Sequence, residues 1–181
     1  MSNREPGQDR NVAALSVLFM CGGFVNNMER NHEYFMSLAL KEAQKAALID
    51  EVPIGCVIVK DNKVIAKAHN KKETNFDPCG HAEIIAIRKA SKKLNNWRLE
   101  NCSLYVTIEP CMMCCGAIIQ SRIEKVIYGA KDLKGGAIES SIKAFDAKNI
   151  NHHPGIIDGV MESECSQIIK NYFKKKREKN N

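Results

Sequence analysis

Two short segments of the chain carry residue types whose spacing suits metal-dependent chemistry. The first begins with His81 and ends with Glu83, and the second contains Cys111 and Cys114 directly after Pro110. A proline suits the start of a helix, and thiols three residues apart then project from the same face of its first turn. The helix dipole lowers their pKa values, so both sulfurs can act as thiolates. With the His81 imidazole they form a ligand set suited to Zn²⁺.

The number of ligands indicates a catalytic site. A structural zinc site uses four protein ligands, whereas a catalytic one keeps a position for water. Here three ligands are evident. Cys115 follows Cys114, points about 100° away on a helix and is expected to pack in the core. Cys79, two residues before His81, is the remaining candidate for a fourth ligand in the nearby loop.

Glu83 supplies the group that hydrolysis at such a site requires. Water on zinc ionises at about pH 7, and a neighbouring carboxylate can take its proton and pass it to a leaving group. In isolation Glu83 would be an ordinary acid stabilised by a helix N-terminus. Two residues after a metal ligand, it instead favours a proton shuttle, which a hydrolysis that releases ammonia would need.

Hydrophobic periodicity predicts the elements that position these residues. Helices are predicted over 32–50, 82–94 and 112–120, and strands over 54–59, 64–68, 103–108 and 125–128. This order favours a three-layer α/β domain whose later strands are parallel. A last helix from about residue 161 is expected to bury one face, consisting of Met161, Cys165, Ile168, Ile169 and Tyr172.

Composition and charge restrict the class of protein. The 181 residues are 44% hydrophobic and carry 27 basic and 21 acidic side chains, a net charge of +6. This balance is typical of one soluble globular domain and excludes disordered and collagen-like classes. Residues 170–181 hold six basic residues and one acid, so they contribute +5 of the +6. Such a cluster favours a polyanion, although a solubilising tail without a partner is the alternative. Most of the eight cysteines are expected to be reduced cytosolic thiols.

Three regions are predicted along the chain. Residues 1–27 form an N-terminal extension, disordered or dispensable for activity, with an organelle address as the alternative. Its apolar run over 12–25 is too short to span a membrane, and no membrane association is expected. Residues 28–173 form the chemical domain, and residues 174–181 form a basic tail.

The H-x-E and P-C-x-x-C segments resemble the signature of zinc-dependent nucleobase deaminases. Beyond them, residues 28–177 resemble bacterial-type tRNA adenosine deaminases. The resemblance implies an α/β/α cytidine-deaminase-like fold around a mixed sheet of about five strands. It also implies a cytoplasmic homodimer with one Zn²⁺ per chain, which converts adenosine to inosine at the wobble position of the tRNA anticodon loop. The matching segments are 51–55, 69–70, 77–78, 97–99, 104–111, 116–117, 121–122, 129–130 and 151–152.

The resemblance also implies roles for single residues. His81, Cys111 and Cys114 correspond to the zinc ligands, and Glu83 corresponds to the proton shuttle. Four further residues correspond to substrate contacts: Asn70 to the flipped-out base, Asp132 near the RNA backbone, and Tyr172 and Phe173 as an aromatic pair beside the nucleotide cleft. From residue type alone, Asn70 could instead form a turn, Asp132 could be an exposed turn acid, and Tyr172 could belong to the core.

Three other functions are compatible with parts of the pattern. A deaminase of free bases, nucleosides or nucleotides, of guanine or cytosine type, would use the same metal and carboxylate. A thioredoxin-like redox module would use Cys111 and Cys114 but leave His81 and Glu83 without a role. A non-catalytic RNA-binding subunit would be expected to lack Glu83. Residues 135–153 match the resembled family only partly, which bears on substrate and not on chemistry.

Overall fold

The computed structural model describes residues 31–179, so the predicted extension over 1–27 lies outside the described residues. Helices and strands alternate along most of the chain, and the helices and strands predicted from periodicity are all present. In chain order the elements are α1 (His32–Leu48), β1 (Gly55–Lys60), β2 (Lys63–His69), α2 (Ala82–Leu94), β3 (Cys102–Ile108), α3 (Met112–Ser121), β4 (Lys125–Ala130), a 3₁₀ turn (Ala144–Asp146), β5 (Gly155–Ile157) and α4 (Glu162–Lys179).

The five strands form one mixed sheet in the order β2-β1-β3-β4-β5. β1 pairs antiparallel with β2 and with β3, whereas β3 with β4 and β4 with β5 are parallel. This arrangement confirms the predicted mixed sheet and its parallel later strands. β5 was not predicted, because a strand of three residues is too short to show an alternating pattern.

Both faces of the sheet are covered, which explains the nearly continuous apolar sequence of β1. Cys56 and Ile58 face a core shared with α2 and α3. Val57 and Val59 face a second core, which Phe35 of α1 and Cys165 of α4 also join. The sheet between two helical layers confirms the three-layer α/β/α fold.

Only the first half of α4 packs into the core, so the predicted buried face of this helix was partly wrong. Cys165 is fully buried, but Ile168, Ile169 and Tyr172 are only partly buried. The close approach at Cys165 depends on Gly129 of β4, where any Cβ would collide with the Cys165 side chain. Beyond Cys165 the side chains of α4 are partly buried or exposed, and the helix continues across residue 174 to Lys179 with a basic last turn.

Two further properties concern the described residues as a whole. Their seven cysteines are all free thiols, with none in a disulfide. Among the helices of residues 31–179, none combines the length and the apolar composition needed to cross a membrane.

Candidate metal centre and active site

The candidate metal ligands lie at the start of two neighbouring helices. His81 is the N-cap residue of α2, and Cys111 is the N-cap residue of α3, which is separated from β3 by residues 109–111. Neither side chain caps its own helix by a hydrogen bond, so both are free to turn towards each other. Gly80, the residue before His81, is held in place by a hydrogen bond of 2.8 Å from the Lys71 backbone amide to its carbonyl.

The structure brings His81, Cys111 and Cys114 together, with their ligand atoms within 4.8 Å of one another. The Nδ1 atom of His81 is 3.6 Å from the Cys111 sulfur and 3.5 Å from the Cys114 sulfur. A tetrahedral ion with ordinary zinc–ligand bond lengths would separate nitrogen and sulfur by about 3.6 Å. The three side chains therefore fit a tetrahedral metal ion.

Cys79 and Cys115 are not part of this ligand group. The Cys115 thiol is fully buried and directs its hydrogen bond to the Pro110 carbonyl at 3.6 Å, as its place on the helix predicted. A group of three protein ligands is the number typical of a catalytic metal site.

The two ligand sulfurs titrate as a pair. The Cys114 thiol and the His81 ring lower the pKa of Cys111 to about 4, so Cys111 is a thiolate at neutral pH. Hydrogen bonding to Cys111 and burial raise the pKa of Cys114, because a second negative charge beside the first is unfavourable. The expectation that the helix dipole lowers the pKa of both thiols therefore holds for Cys111 and not for Cys114. A cation between the two sulfurs would remove this repulsion.

Glu83 lies in the first turn of α2 and is 3% exposed. Its Oε2 atom is buried without a hydrogen-bond partner among the described residues. Burial raises the pKa of this carboxyl. A buried carboxylate without a full set of partners is destabilising, so its presence beside the ligand group indicates a chemical role.

Asn70 follows β2 and is 4% exposed. Its side-chain amide donates to Oε2 of Glu51 at 3.1 Å, while its Oδ1 atom is buried without a partner in the described part of the chain. Glu51 is fully buried, and its other oxygen accepts from the backbone amide and the hydroxyl of Thr74. Sequence reasoning gave Glu51 no role, because an acid between a helix and a strand usually lies in solvent.

Glu109 is a second buried acid to which the sequence assigned no role. It is 2% exposed and accepts hydrogen bonds from four backbone amides and one hydroxyl of the following loop. The donors are the amides of Asp132, Ile138, Glu139 and Ser140 and the hydroxyl of Ser140. Because Glu109 is two residues before Cys111, it attaches this loop, residues 131–141, to the metal centre.

Replacing Glu109 with glutamine should loosen this loop. One of its oxygens would become an amino group facing N–H or O–H donors, which leaves buried donors without acceptors. We expect the free energy of unfolding to fall by about 1–3 kcal/mol, measured by denaturant titration. Glu100→Gln, at a side chain 63% exposed, is the control and should change stability little. Equal stability of the two variants would contradict the anchoring role.

The remaining predicted contact residues lie at two different surfaces. Asp132 and Phe173 line a cavity of about 540 Å³ together with Ile54 and Ile108. The Asp132 carboxylate accepts from the amides of residues 134 and 135 and so stabilises its own loop. Tyr172 instead lines a separate groove between α1 and α4, where its hydroxyl donates to the Asp50 carbonyl at 2.8 Å.

The mixed sheet between helical layers, with its ligand group at two helix N-termini, defines a cytidine-deaminase-like fold. Residues 30–177 match the MafB19-like deaminase family. The chain therefore belongs to this family of deaminases.

Relatives and solved structures agree with this assignment. The tRNA-specific adenosine deaminase of Bacillus subtilis (strain 168) is 44% identical over 147 residues, which are 81% of this chain and 91% of that protein. A structure solved in a study of A-to-I editing by tRNA:A34 deaminases at the wobble position is 47% identical. It covers 75% of this chain and 98% of its own, with a TM-score of 0.73. A guanine deaminase from Bacillus subtilis is 37% identical, covers 62% of this chain and 83% of its own, and has a TM-score of 0.54.

Proposed function

We propose that this protein hydrolyses adenosine to inosine at the wobble position of tRNA anticodons. The observation that carries the proposal is the group of His81, Cys111 and Cys114 beside the buried, incompletely partnered carboxylate of Glu83. The similarity to tRNA-specific adenosine deaminases over four-fifths of the chain supports the substrate. We also propose that the enzyme acts in the cytoplasm as a homodimer with one Zn²⁺ per chain.

Zinc is the proposed ion because the donor set is one nitrogen and two sulfurs at tetrahedral spacing. When bound, it supplies a Lewis acid that makes water nucleophilic at neutral pH. Glu83 takes a proton from the attacking water and delivers protons to the ring nitrogen and to the departing amino group. The balance is one water consumed and one ammonia released for each inosine formed. The N-termini of α2 and α3 favour the negative charge that develops beside them.

The substrate must present its base outside a helix stack. An anticodon loop does so, because its unpaired bases can be turned into a pocket at modest cost. Ile54 also lines the cavity of Asp132 and Phe173, and its carbonyl accepts a hydrogen bond from the backbone N–H of Asn70 at 3.1 Å. We propose that Asn70 binds the flipped-out base and that Asp132 and Phe173 line its approach. Tyr172, on the α1 side of α4, is proposed as a more distant contact with the RNA.

Neutralising the exposed end of α4 should weaken RNA binding. The triple variant K174Q/K175Q/R177Q spares Lys176, which holds Asp50 at 2.6 Å. Each lost phosphate contact lowers the slope of log Kd against log salt by about 0.7–0.9, so we expect the slope of the triple variant to fall by up to about 2–3. Filter binding or fluorescence anisotropy over a salt series measures this. K92Q/K93Q, at exposed positions of α2, is the control, and an equal effect of both variants would contradict a binding role for α4.

The proposed function is tested with the full-length protein and a panel of substrates. Transcribed tRNAs with adenosine at the wobble position are incubated in parallel with free adenosine, guanine and cytidine. We expect inosine in the tRNA, detected by sequencing, and one ammonia per inosine. Ammonia from a free base with no inosine in tRNA would favour the second candidate, a free-base deaminase. The 37% identity to a guanine deaminase is the observation that supports this second candidate.

A further inference from the structure

Backbone hydrogen bonds connect Asn70 to a residue of the cavity lined by Asp132 and Phe173, and connect its neighbour Lys71 to the segment before the metal ligand His81. The Asn70 backbone N–H donates to the carbonyl of Ile54, which lines the cavity. The next residue, Lys71, donates to Gly80, directly before the metal ligand His81. These two hydrogen bonds hold the Asn70 backbone in place relative to the cavity and to the metal ligand. The orientation of the side-chain amide then decides whether Asn70 offers the bound base a donor or an acceptor.

An asparagine amide is nearly symmetric in shape, so hydrogen bonding and not packing determines which end faces which neighbour. Glu51 decides the direction here. Burial raises the pKa of Glu51, but hydrogen bonds from Thr74, from the Glu73 backbone and from Asn70 together lower it by more, so the carboxyl stays ionised and can only accept. The Asn70 amino group must therefore face Glu51, at 3.1 Å, and Oδ1 must face away.

This orientation leaves a buried acceptor unused. Oδ1 of Asn70 has no hydrogen-bond partner among residues 31–179, although Asn70 is only 4% exposed. Buried acceptors are nearly always satisfied, so Oδ1 requires a donor that is not supplied by these residues. An amino group of a nucleobase is a donor of the required kind.

We propose that Glu51 is a positioning residue that orients the Asn70 amide, so that Asn70 offers its carbonyl oxygen to a donor group of the base. The proposal rests on the proposed function for the identity of that base. Glu51 does not contact the substrate. It acts through Asn70, and with Thr74 it holds the end of the 70–74 segment in place.

The pair can be inverted with little change in shape. In Glu51→Gln, the glutamine oxygen keeps the two donors of Thr74, and its new amino group faces Asn70. The Asn70 amide must then rotate and offer its amino group where Oδ1 stood. In Asn70→Asp, two carboxylates face each other. The double variant E51Q/N70D restores both an acceptor towards the base and the total charge of the natural pair.

The test is a double-variant cycle on the full-length protein with wobble-adenosine tRNA. We expect each single variant to lose about 10- to 100-fold in kcat/KM, because a donor is left facing a donor or a charge facing a charge. The double variant should recover at least about tenfold over either one. Bound metal, measured by plasma emission spectroscopy, should stay equal in all variants. Glu73→Gln, an exposed acid in the same loop, should leave kcat/KM unchanged.

Unfolding of the same four proteins tests the Glu51–Asn70 coupling without any substrate. N70D should be the least stable, and E51Q/N70D should regain most of that loss. If the natural enzyme does not act on tRNA while this recovery occurs, the substrate is wrong but the orienting pair stands. Additive losses in both stability and kcat/KM, or an E51Q variant with full activity, would overturn the proposal.

Discussion

Glu83→Gln is expected to abolish turnover while the metal stays bound. The substitution keeps the size of the side chain but removes the group that accepts and returns protons. General acid–base catalysis contributes about 10²- to 10⁴-fold, so kcat should fall by at least that range. The measurement is inosine formation under single-turnover conditions, together with metal content of the same preparation.

Stability separates this chemical role from a structural one. Glu83 is buried and its Oε2 atom has no hydrogen-bond partner in the described part of the chain. Removing its charge should therefore not lower the Tm, whereas losing a structural acid would. Glu33→Gln is the matched control, because Glu33 is an exposed acid in the first turn of α1. Full activity of Glu83→Gln, or an equal fall in activity for both variants, would remove the shuttle from the mechanism.

Cys111→Ser is expected to release the metal and to destabilise the protein. A serine hydroxyl is not a thiolate at neutral pH, whereas Cys111 has a pKa of about 4 in this site. Loss of groups that only support a ligand already costs about 10- to 100-fold in affinity, so loss of a ligand should cost more. Competition with a chromogenic chelator measures the affinity. The Tm in added zinc should fall, because metal binding stabilises only the folded state.

Cys79→Ser is the matched control for this experiment and decides the number of ligands. Cys79 is two residues from His81 but outside the ligand group. We expect this variant to keep its metal and its activity. If Cys79→Ser releases the metal as readily as Cys111→Ser, the ion has four protein ligands. The site would then be structural, and the metal would have no coordination position left for the water that the proposed hydrolysis requires.

Several features of the site were open to prediction because they depend on residues close in sequence. Cys111 and Cys114 share one helix turn, and Glu83 follows His81 by two residues. Local geometry alone therefore places each pair. The strands β1, β3 and β4 were predictable for a similar reason, since burial on both faces leaves continuous apolar runs.

Other features were not predictable because their signals are weak or depend on distant partners. β5 has three residues, too few to show a period. In α4, the residues Ile168, Ile169 and Tyr172 have the spacing of a buried face, yet they are only partly buried. Amphipathic spacing states which side of a helix is apolar, but not how far a neighbouring layer extends to cover it.

The sequence by itself determined the ligand types, the acid beside them, and the order of helices and strands, because each follows from residue chemistry or local periodicity. Only the tertiary structure decided which acids are buried. Glu51 meets Asn70 across 19 residues, and Glu109 meets the loop amides across 23 to 31 residues. A carboxylate becomes a buried acceptor only when donors from distant segments surround it, and a local sequence pattern does not show which distant segments will be in contact.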